Sequence, residues 1–542
     1  MVKSESLSLP VFRSRSMGMV LPLFSLRSGR GWGVGEYPDL VECARWAKSG
    51  AFSWILTLPL LEPSPGQESP YAACSFFALD PMYIAIDEVE EFRAMGGRDA
   101  LSPDEAKALI ALEGKQRVDH GGVRWLKMRA LRRCFECFES LPKDHPRKQA
   151  FLRFEAEESS WLETYAIFRA LKEVYPQSWR VWPPEIRAPQ PRAISAFTAT
   201  HSAEIRFRKY VQFLAFSQLR AARAALHKEK VALFGDEPFL VAEDSAEVWG
   251  RKQLFRFDAT VGAPPDAFSE DGQEWGLPPY RWDRLKEQGY ALFVERVRHV
   301  SRLYDGVRID HVVGLYRTYH RPIDGSPHYF FPGKEEEQLA QGEAVLQAFL
   351  SSGIEVLAED LGVIPPFVRR SLEGLKIPGY RVFRWEKEGN RYRDPSEYPH
   401  LSVATTGTHD TETLAEWWEG LSEAEREQVL EIPSLAGIRD APGASKRFGA
   451  FWLSEEVWQA MMRALIRSQS CAVLLPIHDV LGLRERVNRP NTLGPHNWST
   501  RLPWVLSALA EDAIVQARMR FLEEEARAGG RSNPEAAARA KA

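Results

Sequence analysis

Acidic residues stand where several short β-rich runs of this chain end: Asp236, Asp310 within Arg308-Ile309-Asp310-His311, the pair Glu359-Asp360, and Asp410 after His409. Alternation along a strand places Arg308 and Asp310 on one face, where the guanidinium keeps the carboxylate ionised and fit to attack as a nucleophile. Cleaving a glycosidic bond with retention requires such a carboxylate. It also requires a protonated carboxyl, about 5–5.5 Å away, to donate to the leaving oxygen. Asp310 and Glu359 are candidates for those two roles. Asp410 is a candidate to bind sugar hydroxyls and hold them more tightly as positive charge develops at the anomeric carbon. Any one of these acids is more economically read as a helix cap or ion-pair partner, and the catalytic reading rests on explaining them together.

Residues this far apart in sequence meet only if their strand ends converge. The β-rich runs at 18–25, 53–60, 231–241, 306–311, 354–360, 380–385, 402–410 and 471–479 alternate with helix-like stretches. That is the pattern of parallel strands joined by crossover helices. Eight such runs predict an α/β fold, a (β/α)8 TIM barrel with helical and loop insertions, whose C-terminal strand ends share one pocket. Residues 1–90 are expected to hold the first two strands and an active-site loop, and 91–230 a mainly helical insertion subdomain. Residues 231–520 complete the barrel with groove-forming loops. The Ala- and charge-rich stretch 521–542 is expected to fray.

Composition narrows the partners. In 542 residues, 44% are hydrophobic and 27% charged, and the net charge is -4, a balance that builds a core but no global positive field for nucleic acid. No apolar run approaches the roughly 20 residues of a spanning helix, and the N-terminus lacks a secretory pattern, so a cytoplasmic protein without membrane attachment is expected. Five cysteines are sparse and odd in number, as where thiols stay reduced. Cys134 and Cys137 form a C-x-x-C inside a helical stretch with no second pair, which favours packing over metal or redox chemistry. Gly31, Gly33 and Gly35 miss the dinucleotide spacing and no Walker sequence occurs. Neither a cofactor nor a metal is implied.

Beyond these acids, the chain carries SPY at 69–71, GDEPFLVAEDSAEVW at 235–249, PPDAFSEDGQEWG at 264–276, VRIDH at 307–311, AEDLGVIPP at 358–366, TGTHDTET at 406–413 and VNRPNT…HNW from 487. In these strings and their order, residues 18 to 505 resemble the amylomaltase, or 4-α-glucanotransferase, family (glycoside hydrolase family 77). The resemblance implies disproportionation of maltooligosaccharides or α-1,4-glucan: a non-reducing fragment is held as a glycosyl-enzyme ester and passed to the 4-hydroxyl of another sugar. It implies Asp310 as nucleophile, Glu359 as acid/base and Asp410 as transition-state stabiliser. Arg308, His409, Asp236 and Tyr71 would support the donor-side sugar, and Ser69, Gln273, Trp275, His311 and Asn488 would line the glucan groove. The motif match also selects Glu359 over its neighbour Asp360.

Four positions depart from the family pattern. Gly276-Leu277-Pro278 stands for Gly-Asn-Pro, Thr411 for Asn, Pro490-Asn491 for Pro-Gly, and Thr318-Tyr319-His320 for a Trp-containing segment. None removes a catalytic carboxylate, and they direct attention to acceptor choice. A retaining α-glucan hydrolase, in which water is the acceptor, shares the fold and the first chemical step. A non-catalytic glucan-binding barrel would have lost a carboxylate.

Overall fold

A computed structural model describes residues 11–265, 272–389, 391–438, 453–490 and 492–531. All eight expected strands form: β1 (Ser16–Leu21), β2 (Trp54–Thr57), β3 (Ala232–Glu237), β4 (Gly306–Ile309), β5 (Glu355–Ala358), β6 (Gly379–Val382), β7 (Ser402–Thr405) and β8 (Ala472–Pro476). They close in chain order into one barrel in which every neighbouring pair is parallel. Their Val, Ile, Leu and Ala side chains are buried almost without interruption, as parallel strands covered on both faces require.

Large rings fill the barrel. Trp54 of β2 and Phe234 of β3 meet at 4.8 Å between ring centroids, and Phe12 closes on both from the N-terminal side at 5.8 and 5.7 Å. Gly18 makes room for them, because a Cβ there would lie 2.2 Å from the Trp54 indole. Two residues further along the same faces come Asp236 and Arg308, so the aromatic floor carries the polar site directly above it.

Crossover helices α1 (Asp39–Lys48), α2 (Ser202–Lys228), α3 (Ala291–Leu303), α4 (Glu335–Ser351), α5 (Pro366–Gly374) and α6 (Glu455–Ile466) join most successive strands. The β6–β7 connection instead uses 3-10 turns and a short hairpin, Lys387–Glu388 with Arg391–Tyr392. Between β2 and β3 run helices that include Pro103–Glu113, His120–Ser140, Pro146–Glu157, Leu162–Val174 and Pro191–Thr200. The helix α2 packs on the insertion helix Leu162–Val174 as well as on α1 and β3.

Two features depart from the sequence expectation. Residues 521–528, expected to fray, lie inside α7 (Ala513–Ala528). Val515, Met519, Leu522 and Ala526 are buried at helical spacing, an apolar stripe that the Ala- and charge-rich composition conceals. The rest of the expected tail, 532–542, lies outside the described residues. A four-stranded antiparallel sheet, ordered Gln273–Leu277, Ala259–Ala263, Thr318–Pro322, Tyr329–Phe331, was not expected at all. Its strands are short, half-exposed and interrupted by a bulge at Val261/Gly262, so they lack a period-2 apolar signal.

Among the described residues no helix is long and apolar enough to cross a membrane.

Candidate active site

Arg308 on β4 organises the site. Its side chain is 4% exposed. Nη1 donates to Asp236 at 2.6 and 2.8 Å and to Asp310 Oδ1 at 2.9 Å, while Nη2 lies 3.4 Å from Glu359 Oε2. One planar cation therefore holds carboxylates from three strand ends, a task for which the guanidinium fork is suited.

Asp310 follows β4, its amide donating to the Glu237 carbonyl on β3. At His311 the backbone turns left-handed, with φ of 45°, and the His311 amide donates to Glu359 Oε2 at 2.6 Å. A non-glycine residue held there marks a constrained turn; here it aims the amide at the second carboxylate. Burial pushes the Glu359 carboxyl up. Arg308 and the His311 amide pull the other way, the charges of Asp310 and Asp410 add to the rise, and the result is about 8. Asp360 points to the opposite side of β5, where it accepts from the Tyr380 amide at 2.6 Å and from Arg381 at 3.4 Å. Alternation along the strand thus turns Glu359 inward and makes Asp360 structural.

Asp410 sits past β7 in a loop, its Oδ2 3.3 Å from His409 Nε2 and its Oδ1 accepting from Asn488 Nδ2 at 2.6 Å. Its side chain is 46% exposed. Burial there acts to raise it, but His409, the Asn488 amide and Arg308 prevail and hold the carboxyl down at about 2. His409 shifts reciprocally: burial opposes protonation, Asp410 outweighs it, and the imidazole is raised above its usual range.

Tyr71 joins the two halves. Its hydroxyl donates to Asp236 Oδ2 at 2.7 Å and lies 3.3 Å from His409 Nδ1, and its ring stacks on the His409 imidazole at 4.9 Å. Burial raises Asp236 against the pull of Arg308.

Beyond His311 lies the antiparallel sheet. Trp275 meets the His311 ring edge-on at 4.9 Å and donates from Nε1 to Gln273 Oε1 at 3.0 Å. Burial lowers His311 to about 4, which leaves it neutral at physiological pH. Ser69 is more remote, its hydroxyl accepting from the Tyr71 amide at 3.4 Å. Direct contacts therefore unite eleven of the expected residues, and Ser69 reaches them through Tyr71's backbone.

The departures mostly turn inward. Thr411 Oγ1 accepts from the Thr408 amide and donates to its carbonyl, both at 3.0 Å, closing the loop that carries His409 and Asp410. His320 is buried against Thr318 Oγ1 at 2.7 Å, and Leu277 pairs with Val261 in the sheet. Asn491 and residues 266–271 of the PPDAFSEDGQEWG string lie outside the described residues.

Three neighbours were not anticipated. Trp498 lies 5.8 Å from both Tyr71 and His409, Phe239 lies 5.2 Å from His311, and Arg486 donates to the Asp410 carbonyl at 3.0 Å. Trp498 and Phe239 belong to strings that carried the family resemblance, whereas Arg486 precedes its string by one residue and had no signal. Among the described residues no group of three or more His, Cys, Asp or Glu could hold a metal ion.

A carboxylate pair sharing one guanidinium, with the Glu359 carboxyl raised to about 8, is equipped to break and remake glycosidic bonds. Comparison with known proteins agrees. A family model described as 4-alpha-glucanotransferase matches residues 21–507. The chain is 31% identical over 507 residues to the 4-alpha-glucanotransferase of Thermus thermophilus, covering 90% of this chain and 95% of that protein. It is 30% identical over 526 residues to that of Chlamydia trachomatis, covering 93% and 94%. The fold is similar to that of amylomaltase from Streptococcus agalactiae in complex with acarbose, with a TM-score of 0.81 at 24% identity over 96% of this chain and 100% of that one. With the match running from the end of β1 past the loop that grips Asp410, the chain belongs to the 4-alpha-glucanotransferase family.

Proposed function

We propose that this 4-alpha-glucanotransferase works by retaining double displacement, with Asp310 as nucleophile, Glu359 as acid and then base, and Asp410 as transition-state stabiliser. The observation that carries this assignment is Arg308 shared between Asp310 and Glu359, with Glu359 raised to about 8. The Asp310 carboxylate attacks the anomeric carbon of an α-1,4-linked sugar. As the bond to the leaving oxygen breaks, Glu359 gives that oxygen its proton. The released fragment departs and a glycosyl ester on Asp310 remains. The 4-hydroxyl of an acceptor then yields its proton to the Glu359 carboxylate and attacks the same carbon, which frees Asp310. Asp410 accepts from donor-side hydroxyls and strengthens that hold as positive charge develops, while Arg308, Asp236, Tyr71 and His409 keep the sugar and carboxylates in place.

The substrates are maltooligosaccharides or α-1,4-glucan, laid along Ser69, Gln273, Trp275, His311 and Asn488, with Trp275 offering a ring face to a sugar. The bound oligosaccharide in the streptococcal neighbour supports a groove of this kind. A net charge of -4 suits a neutral glucan better than nucleic acid, and five unpaired cysteines support a reducing, cytoplasmic setting.

Incubation of the pure protein with maltotriose tests the reaction: a ladder of longer oligomers plus glucose is expected, and maltose with glucose alone would establish hydrolysis instead. Asp310→Asn tests the assignment. Turnover is expected to fall by about 10⁴-fold or more with the fold intact by circular dichroism, and near wild-type activity would refute Asp310 as nucleophile.

A further inference from the structure

The stretch beyond β8 returns over the site and lies along the short helix Leu414–Gly420. Three arginines of that stretch meet three glutamates of the facing segment. Arg484 Nε donates to Glu419 at 2.8 Å, Arg486 Nη1 to Glu412 at 3.0 Å and Arg489 Nη2 to Glu416 at 3.4 Å. Glu416 and Glu419, three residues apart, share one side of that helix, and Glu412 stands just before its N-cap, Thr413. From the other side Arg384 donates to Glu412 at 3.2 Å and to the Thr406 carbonyl at 3.2 Å, so Glu412 is gripped between two guanidinium groups.

The row of pairs converges on Asp410. Asn488 holds its carboxylate at 2.6 Å and Arg486 Nη2 its main-chain carbonyl at 3.0 Å. Packing does not fix the Asp410 side chain, which is 46% exposed, so its orientation depends on Asn488, on His409 Nε2 at 3.3 Å and on where the backbone is held. Arg486 is the less exposed end of the grip, at 15%, and its fork serves a carboxylate and a carbonyl at once, a geometry that a lysine ammonium does not reproduce. Exposed ion pairs contribute little to stability one at a time. What this row does is set where Asp410 stands.

We propose that Arg486 is a positioning residue for the glycosyl transfer, holding the Asp410 backbone so that its carboxylate meets the sugar hydroxyls in the transition state. The inference rests on Asp410 being the stabiliser. It assigns Arg486 no contact with substrate.

The test compares Arg486→Gln, Arg486→Lys and Asp410→Asn in steady-state transfer from maltotriose, with thermal unfolding of each. Misplacing a catalytic group by about 1 Å costs on the order of 100-fold. Arg486→Gln is therefore expected to lower kcat by about 10- to 100-fold while KM stays within about twofold, as for an interaction that matters in the transition state. Arg486→Lys is expected to recover the unfolding temperature by pairing with Glu412, but not kcat, because it lacks the fork. If Arg486→Gln does not fold, Glu412→Gln removes the other end of the same grip, and a several-fold loss of kcat at unchanged KM is expected there. Wild-type kcat in Arg486→Gln, or recovery of kcat together with stability in Arg486→Lys, would overturn the proposal while Asp410→Asn remained inactive. Wild-type turnover in Asp410→Asn would instead bring down the role of Asp410, and this inference with it.

Discussion

At the scale of single residues, chemistry is divided by environment rather than by residue type. Glu359 and Asp410 are both carboxylic acids in one cleft, yet burial with nearby negative charge lifts one to about 8, and His409 with Asn488 holds the other at about 2. Opposed shifts of this kind separate an acid from an ionised partner. The consequence for pH follows from the sign. In the proposed mechanism Glu359 acts first in its protonated form, which predominates below about 8, so kcat/KM for maltotriose is expected to fall as pH rises through about 8. Asp410 stays ionised far below neutrality, so its protonation does not limit activity between pH 5 and 8. A profile that remained flat to about pH 10 would remove Glu359 as the acid. The tautomer of His409 is tied to the same geometry: with Asp410 at Nε2 and the Tyr71 hydroxyl at Nδ1, the imidazole is placed to donate to the carboxylate.

At the scale of elements, the strands supply direction and the turns supply aim. β3 and β4 place Asp236 and Arg308 in register as neighbours, and the left-handed His311 swings the chain so that one amide meets Glu359. Under them the aromatic layer leaves no slack. Gly18 on β1 faces Trp54, and a methyl group added there would meet the indole at 2.2 Å. Gly18→Ala is therefore expected to cost about 1–3 kcal/mol, as overpacking of a filled interior does, read as a lower unfolding temperature. Because β1 reaches no catalytic carboxylate, kcat of the folded fraction is expected to change less than stability. The antiparallel sheet is built with equal economy at Gly262, where a Cβ would come within 2.0 Å of the Gln273 carbonyl; that close approach is what lets the Trp275 strand lie against its neighbour.

At the scale of the whole molecule, the helical insertion braces the catalytic face. Residues 61–79 form a loop cross-linked by bridges Leu61↔Leu79 and Pro63↔Ala73, and Tyr71 lies within it. Glu62 at the loop's base accepts from the Tyr165 hydroxyl and pairs with Arg169 at 3.2 Å, both on the insertion helix Leu162–Val174. Lys172 of the same helix pairs with Asp244 at 2.7 Å, while Ser64 donates to the Asp244 carbonyl at 2.7 Å. Removing one partner of a buried pair leaves the other charge uncompensated, so Arg169→Met is expected to cost about 3–5 kcal/mol in chemical denaturation. If the brace acts on Tyr71, transfer activity in that variant declines at temperatures below its unfolding transition. Local loosening of this kind precedes global unfolding where few contacts hold a loop. At the far end of the barrel the C-terminal segment is tied in by Arg531, which donates to the carbonyls of Ile466 and Ser470 at 2.6 and 2.8 Å.

Much of this protein is determined locally and is therefore legible in the chain alone. Apolar runs of strand length alternating with helical stretches specify eight parallel strands, and the acids at the ends of several of them mark the face on which Asp310, Glu359 and Asp410 gather, because side-chain alternation and the barrel's polarity follow from backbone geometry. The ordered strings around them specify the family. What the chain alone does not determine is which side of a strand or loop faces inward and which distant residue completes a contact. Glu359 and Asp360 are adjacent and both acidic, and only the register of β5 within the closed barrel turns the first toward Arg308 and the second toward Tyr380 and Arg381. The stripe of α7 emerges once α6 lies beside it. Arg486 reads as one more charged surface residue until the chain folds back 76 positions to the Asp410 carbonyl, since hydrogen bonds between such distant groups exist only after the barrel has closed.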